Sequence, residues 1–168
     1  MSQGPRYHVK PRRRREGITD YRKRLRLLKS RKTRIVVRKS LRNFRVQFID
    51  YDEKGDRIRA SAIASELTKK YGWKYSTSTT PAAYLTGLLA GVRAKEKGIT
   101  EGVLDVGRQV PARGSKIFAA LKGVLDAGID CPHSEDILPS EDRILGTHLN
   151  EEISKDLPKI KTKITGGE

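Results

Sequence analysis

The sequence has a single cysteine, Cys131, so no intramolecular disulfide can staple the chain and a reducing compartment is expected. It also lacks a long apolar run: the most apolar stretch, Pro81 to Ala94, is shorter than the roughly 20 residues that cross a bilayer and ends among Arg93 and Lys95. The opening MSQGPRYHVKPRRRREG has no apolar segment of signal-peptide type, and Tyr7, Pro11 and the arginines after it make no amphipathic presequence. An intracellular protein without a membrane partner is the expectation. Metal ligands are scarce. Cys131, His8, His133 and His148 show no paired spacing, whereas zinc takes about four such ligands. The rigid Pro132 between Cys131 and His133 makes a poor nucleophile–base pair unless the fold brings His148 close. Neither GxxxxGKS/T nor GxGxxG occurs, Lys122-Gly123 lies inside a helical pattern, and no internal repeat is visible. Cofactors and metals are therefore not expected.

What the chain has in excess is positive charge. Its 168 residues carry 36 Lys and Arg against 20 Asp and Glu, a formal net charge of +16. Residues 1–45 hold 18 of those bases and only two acids, Glu16 and Asp20, so this stretch accounts for the whole excess and the rest of the chain sums to zero. A near-neutral domain with a basic arm is the pattern of a segment that neutralises phosphates and releases their counterions. A solubilising disordered tail is the plainer alternative, but apolar residues recur within the basic stretch at helical and strand spacing. With 36% hydrophobic residues, the chain can bury one core.

Gly4, Pro5, Pro11 and Gly17 interrupt residues 1–18, which read as an extended arm without regular structure that becomes ordered on its partner. Thr19 is placed to cap a helix running to about Ser30, with Tyr21, Leu25 and Leu28 as its apolar stripe and Arg22, Arg26 and Lys29 beside it. Thr33–Arg38, Phe44–Asp52 and Arg57–Ala64 alternate as strands, and the turn Asp52–Asp56 links the last two, so an antiparallel meander is expected. A short helix follows at Ser65–Tyr71. Thr80 before Pro81 signals a helix to Lys97, whose Gly87 and Gly91 allow close packing against the sheet. A membrane dimer motif is the sharper reading of that glycine spacing, but no spanning segment accompanies it. Gly102–Gly107 reads as a short buried strand and Gly114–Ala127 as a helix with Ile117, Leu121, Val124 and Leu125 inward. Alternating strands and helices imply an α/β fold, a mixed sheet with an opening antiparallel meander covered by helices. Beyond Pro139 a helix at Ser140–Ile153 and a flexible end, KIKTKITGGE, are expected.

Three kinds of chemistry could use such a pattern. A nuclease would need carboxylates converging on metal ions, and Asp50, Asp52 and Asp105 are the only strand-end candidates. A DNA-compacting protein would bind any duplex without preference. RNA recognition fits better, because arginine outnumbers lysine among the N-terminal bases and its planar fork grips phosphates and stacks on bases. Tyr7 and His8, set between Arg6 and Lys10, can stack on unpaired bases, although packing of the arm would use them equally well. A second basic patch, Arg108, Arg113 and Lys116 around Gly114 and Ser115, lies where free N–H groups at a helix start can hold a phosphate.

Several long stretches carry a resemblance across nearly the whole chain: GPRYHVKPRRRREGITDYRKRLRLLKS, PAAYLTGLLAGVRAKEKGI, VLDVG, GSKIFAALKGVLDAGIDCPHSEDILP and EDRILGTHL. In these the sequence resembles the archaeal form of the 5S-RNA-binding ribosomal protein family called universal large-subunit protein eighteen. The resemblance implies a three-layer α/β core of the translational-machinery class, related in topology to ribonuclease H without its catalysis. It implies a non-enzymatic component of the cytoplasmic large ribosomal subunit that binds 5S rRNA, contacts 23S rRNA and meets neighbouring ribosomal proteins in the central protuberance. The expected RNA contacts are Arg6, Tyr7, His8, Lys10, Arg12, Arg13, Arg14 and Arg15 of the arm. They continue through Arg22, Lys23, Arg26 and Lys29 of the basic helix, then Arg31, Lys32, Arg34, Arg38, Lys39, Arg42 and Arg45 around the first strands, with Arg113 and Lys116 further on. The expected organisation is an arm over 1–18, an RNA-binding α/β domain over 19–138 including the basic helix 19–30, and a C-terminal helical extension over 139–168.

Overall fold

The computed structural model describes residues 4–166. Three antiparallel strands, β1 (Arg34–Lys39), β2 (Phe44–Asp50) and β3 (Arg57–Ile63), form the expected meander. A short β4 (Val103–Asp105) adds in parallel beside β1, giving a mixed sheet of order β3-β2-β1-β4. Alternation decides the faces. Ile35 and Val37 of β1, Phe44, Val46 and Phe48 of β2, and Ala60 and Ala62 of β3 are all buried on one face. The intervening Arg45, Arg59 and Ser61 remain exposed on the other.

Helices α4 (Thr80–Glu96) and α5 (Lys116–Asp126) cover the apolar face. Thr79, rather than Thr80, caps α4 by accepting the N–H of Ala82, and Pro81 falls in the first turn, where a missing N–H costs nothing. Gly87 packs against α5 and not against the sheet: a Cβ there would sit 2.0 Å from the carbonyl oxygen of Ala120. Gly91 faces the Ala127 methyl just after α5, at 2.6 Å from its would-be Cβ, and Gly123 of α5 faces the Tyr84 carbonyl at 2.1 Å from its own would-be Cβ. The glycines thus let two helix backbones touch. Between sheet and α4, helix α3 (Ala64–Tyr71) ends on Gly72, and Trp73 is buried with its indole N–H donating to the Ser76 carbonyl at 3.3 Å.

Helix α2 (Tyr21–Lys29) lies against the opposite face, so the layers run α2, sheet, α4 and α5. Asp20, not Thr19, caps α2, its carboxylate accepting the N–H groups of Arg22 and Lys23. The expected stripe is rotated: Tyr21 and Leu25 are 41% and 58% exposed, and the half-buried side is Arg24, Leu27 and Leu28. The arm is not wholly irregular either, since Arg12–Arg15 form one helical turn, α1.

The tail differs from expectation at two points. Gly146 breaks the single helix expected at 140–153 into α6 (Glu141–Leu145) and α7 (Glu151–Thr165), and most of the end expected to be flexible is helical. Ile153, Leu157, Ile160 and Ile164 of α7 are buried as part of the common core, against α4, and the Tyr75 hydroxyl donates to Asp156 at 3.0 Å. Gly167 and Glu168 of that end lie outside the described residues.

Candidate nucleic-acid interface

The N-terminal bases form a surface because α2, which buries no residue fully, is held to the sheet by ion pairs. From α2, Arg24 Nη2 donates to both carboxylate oxygens of Asp56 at 2.9 Å. Arg34 of β1 donates to the same Asp56 at 2.6 Å and, through its other nitrogen, to Asp105 of β4 at 3.0 Å. Arg38 donates to Asp105 Oδ1 at 3.1 Å and to the Asp105 main-chain carbonyl at 2.7 Å, while the Gly107 N–H takes Asp105 Oδ1 at 2.8 Å. Three arginines and two aspartates therefore run as a ladder from α2 through the β2–β3 turn to β1 and β4. Charge-assisted and partly bidentate, this ladder holds the helix in place while leaving one positive charge over.

Arg34 departs from its expected place among the exposed contacts. It is only 3% exposed, and both ends of its guanidinium are taken by aspartates, so it positions the surface from beneath. Arg38 is half-exposed beside it and lies directly across the strand pair from the exposed Arg45. Like charges opposite one another repel, and an anion laid across them would relieve that repulsion.

The other expected arm and helix residues lie outward. Arg6, His8, Lys10, Arg12, Arg13, Arg14 and Arg15 are exposed, Tyr7 is 45% exposed, and Arg13 Nε bonds the Thr19 hydroxyl at 2.8 Å. Arg22, Lys23, Arg26, Lys29, Arg31, Lys39, Arg42 and Arg45 are exposed, and among the described residues none of these eight has an acidic partner within 4.0 Å. Lys32 is exposed but paired with Glu101. A cleft of about 610 Å³ opens between α2 and the β1–β4 edge, with Arg13, Lys23, Arg26 and Arg108 around Ile18, Leu27 and Val106. The guanidinium of Arg108 donates to the Gly17 carbonyl, tying the arm to the loop after β4. Arg108, expected in a second basic patch, is instead drawn to the arm, and Arg24, inside the basic helix, is turned toward the sheet.

The second patch is partly engaged within the protein. Arg108 is engaged with the arm, Lys116 Nζ donates to the Ser78 carbonyl at 2.6 Å, and only Arg113 projects freely. The Gly114 and Ser115 N–H groups, just before α5, are committed to Ile137 and Ala112 carbonyls, at 3.0 and 3.2 Å. The three carboxylates that a nuclease would bring together are each held by a different arginine: Asp50 by Arg59 at 2.9 Å, Asp52 by Arg57 at 2.6 Å and Asp105 by Arg34 and Arg38. Among the described residues no three His, Cys, Asp or Glu side chains are grouped to hold a metal ion, and no helix is long and apolar enough to cross a membrane. Cys131 is 1% exposed, and burial pushes its thiol up to about 11, which leaves little thiolate for nucleophilic work at neutral pH. His133 Nδ1 lies 2.7 Å from the Cys131 carbonyl oxygen, not from its sulfur.

Comparison with known proteins places this geometry in context. The family described as "Ribosomal large subunit proteins 60S L5, and 50S L18" matches residues 5–103 and 93–134. A "Large ribosomal subunit protein uL18" of Korarchaeum cryptofilum is 59% identical over 149 residues, 89% of this chain and 76% of that protein. Proteins of the same name match from Aeropyrum pernix, at 55% over 149 residues (89% of this chain and 70% of that protein), and from Methanococcoides burtonii, at 51% over 161 residues (95% and 92%).

Proposed function

The chain belongs to the family of ribosomal large subunit proteins 60S L5 and 50S L18, and from that membership we propose that its basic N-terminal face binds 5S rRNA and helps attach it to 23S rRNA. As a member of this family it is a structural, non-enzymatic component of the large ribosomal subunit, at home in the cytoplasmic ribosome and of the archaeal type. The observation that carries the RNA reading is the set of exposed bases without acidic partners along α2, β1 and β2, continuous with the arginines of the arm.

In this mechanism the phosphates are neutralised by Arg12 to Arg15 and by Arg22, Lys23, Arg26 and Lys29, with release of their counterions. Those contacts fix where the RNA lies but read no sequence. Tyr7 and His8 supply flat surfaces for unpaired bases, the usual handle on irregular RNA. Arg34 and Asp105 act indirectly by holding α2 and β1 in register. The helices after residue 139 face away from this surface on the outer side of α4, a position suited to neighbouring large-subunit proteins.

The test is a titration of the protein against 5S rRNA with transfer RNA and duplex DNA as competitors, repeated with a chain lacking residues 1–18. Strong preference for 5S rRNA is expected, with the truncation weakening binding by about a hundredfold at 0.1 M salt and flattening its salt dependence. Equal competition by all three nucleic acids would reduce the arm to a generic polycation and overturn the reading.

A further inference from the structure

One residue on the basic face adopts a backbone conformation its side chain disfavours. Arg31, just after the C-terminal residue Ser30 that closes α2, has φ +56°, and among the described residues no other non-glycine has a positive φ. Its N–H donates to the Leu28 carbonyl at 3.1 Å, which closes the helix. The left-handed region brings a Cβ too close to the backbone, so glycine usually occupies this position. This chain follows that habit elsewhere: α3, α6 and α7 end on Gly72, Gly146 and Gly166, with φ between 76° and 78°. At the end of α2 an arginine stands instead, its guanidinium without a hydrogen-bonded or ionic partner among the described residues.

Beside it lies a cleft of about 340 Å³ lined by Leu28, Arg31, Lys32, Asp50 and Tyr51. Two of the charged groups are already engaged. Lys32 pairs with Glu101, and Asp50 accepts from the Thr33 hydroxyl at 2.6 Å and from Arg59 at 2.9 Å. The uncommitted pair is the Arg31 guanidinium and the Tyr51 ring, which is 57% exposed at the end of β2. An exposed aromatic ring and a free guanidinium lining one cleft match an unpaired nucleotide, the base stacking on the ring and the phosphate lying on the guanidinium. We propose that Arg31 and Tyr51 form a subsite for one unpaired nucleotide of the bound RNA, and that the strained arginine is kept for that contact. The proposal rests on the RNA-binding reading above and adds Tyr51 to the surface.

The decisive feature is that stability and binding should move in opposite directions. In the full chain, Arg31→Gly should raise Tm, because the left-handed position loses its Cβ, and weaken binding of a single-stranded oligoadenylate about fivefold. It should also reduce the salt slope for that strand by about 0.7, the value for one lost phosphate contact. Tyr51→Ala should weaken the same binding roughly tenfold with the salt slope unchanged, Tyr51→Phe should match the unsubstituted chain, and neither should change affinity for duplex RNA of equal length. Arg31→Gly and Tyr51→Ala measured on 5S rRNA should lose affinity in parallel. A chain that fails to prefer 5S rRNA over transfer RNA undermines the earlier reading, while the oligoadenylate measurements still decide this one. The subsite is refuted if Arg31→Gly lowers Tm or leaves affinity intact. Loss of affinity in Tyr51→Ala of under twofold, or equal on duplex and single strand, refutes it too and would leave the ring to a protein neighbour.

Discussion

Neither α1 nor α2 buries a single residue, whereas α4 buries thirteen of its seventeen. The contrast extends to what holds each part in place. Helices α4, α5 and α7 are fixed by close apolar packing, which is intolerant of added volume and indifferent to salt. Helix α2 is fixed by the ladder from Arg24 to Arg38 and surrounded by unpaired bases, so its placement depends on charge. The difference shows how one small domain separates two duties: the far side of the sheet supplies stability, and the near side can remain highly charged because it is not asked to form a core.

Gly123→Ala attacks the packed side and should give the largest effect. In an ordinary helix interior this change would stabilise by about 1 kcal/mol. Here the new Cβ would stand 2.1 Å from the Tyr84 carbonyl oxygen and 2.7 Å from the Leu88 nitrogen, both main-chain atoms that cannot step aside without moving α4. A loss of about 4 kcal/mol or more is expected in denaturant unfolding, reversing the sign that propensity alone would give. RNA affinity of the fraction that remains folded should be unchanged. A mild effect on stability would mean that the two helices are not in backbone contact.

Asp105→Asn probes the seam between the two sides. Asp105 is buried and faces two arginines, so removing its charge leaves Arg34, itself buried, with one partner fewer. Breaking one side of a buried pair costs about 3–5 kcal/mol, which thermal unfolding would register. Because Asp105 also holds Arg38 and the Gly107 N–H, RNA affinity should fall along with stability. This substitution should couple the two readouts, and a variant that lost only one of them would show that the seam belongs to one side.

The packed side was largely legible in the sequence, because its signals are local. Phe44, Val46 and Phe48 alternate within one strand, and Thr80 before Pro81 marks a helix start to within one residue of its cap, Thr79. The ladder was not legible, because Arg24 finds Asp56 32 positions away and Arg34 finds Asp105 71 positions away. Those partners rotate α2 so that Arg24 faces inward and Leu25 outward, against the preference of an isolated amphipathic helix, and they bury an arginine that charge alone would place at the surface. Within the expected C-terminal helical extension, the length of α7 was not legible for another reason. Its Ile153, Leu157, Ile160 and Ile164 are helically spaced, but Pro158 lies among them and the intervening lysines gave the segment the composition of a loose end.

The smallest effect should come from within the charged side. Asp20 is one of two acids among the first 45 residues, and the N–H groups of Lys23 and Arg22 hold its carboxyl below the usual carboxylate range. A group with a depressed folded value lends its stabilisation above the unfolded carboxylate range and loses it as pH falls through the folded value. Acidification should therefore fray the start of α2 first, speeding hydrogen exchange at Arg22 and Lys23 several-fold relative to the amides of α4. Asp20→Ala should reproduce that fraying at neutral pH, while Tm stays nearly constant because α2 contributes no buried residue to the core. If the α4 amides instead opened in step with α2, the helix would have to be part of the cooperative core, and the division between a packed side and a charged side would not describe how this domain unfolds.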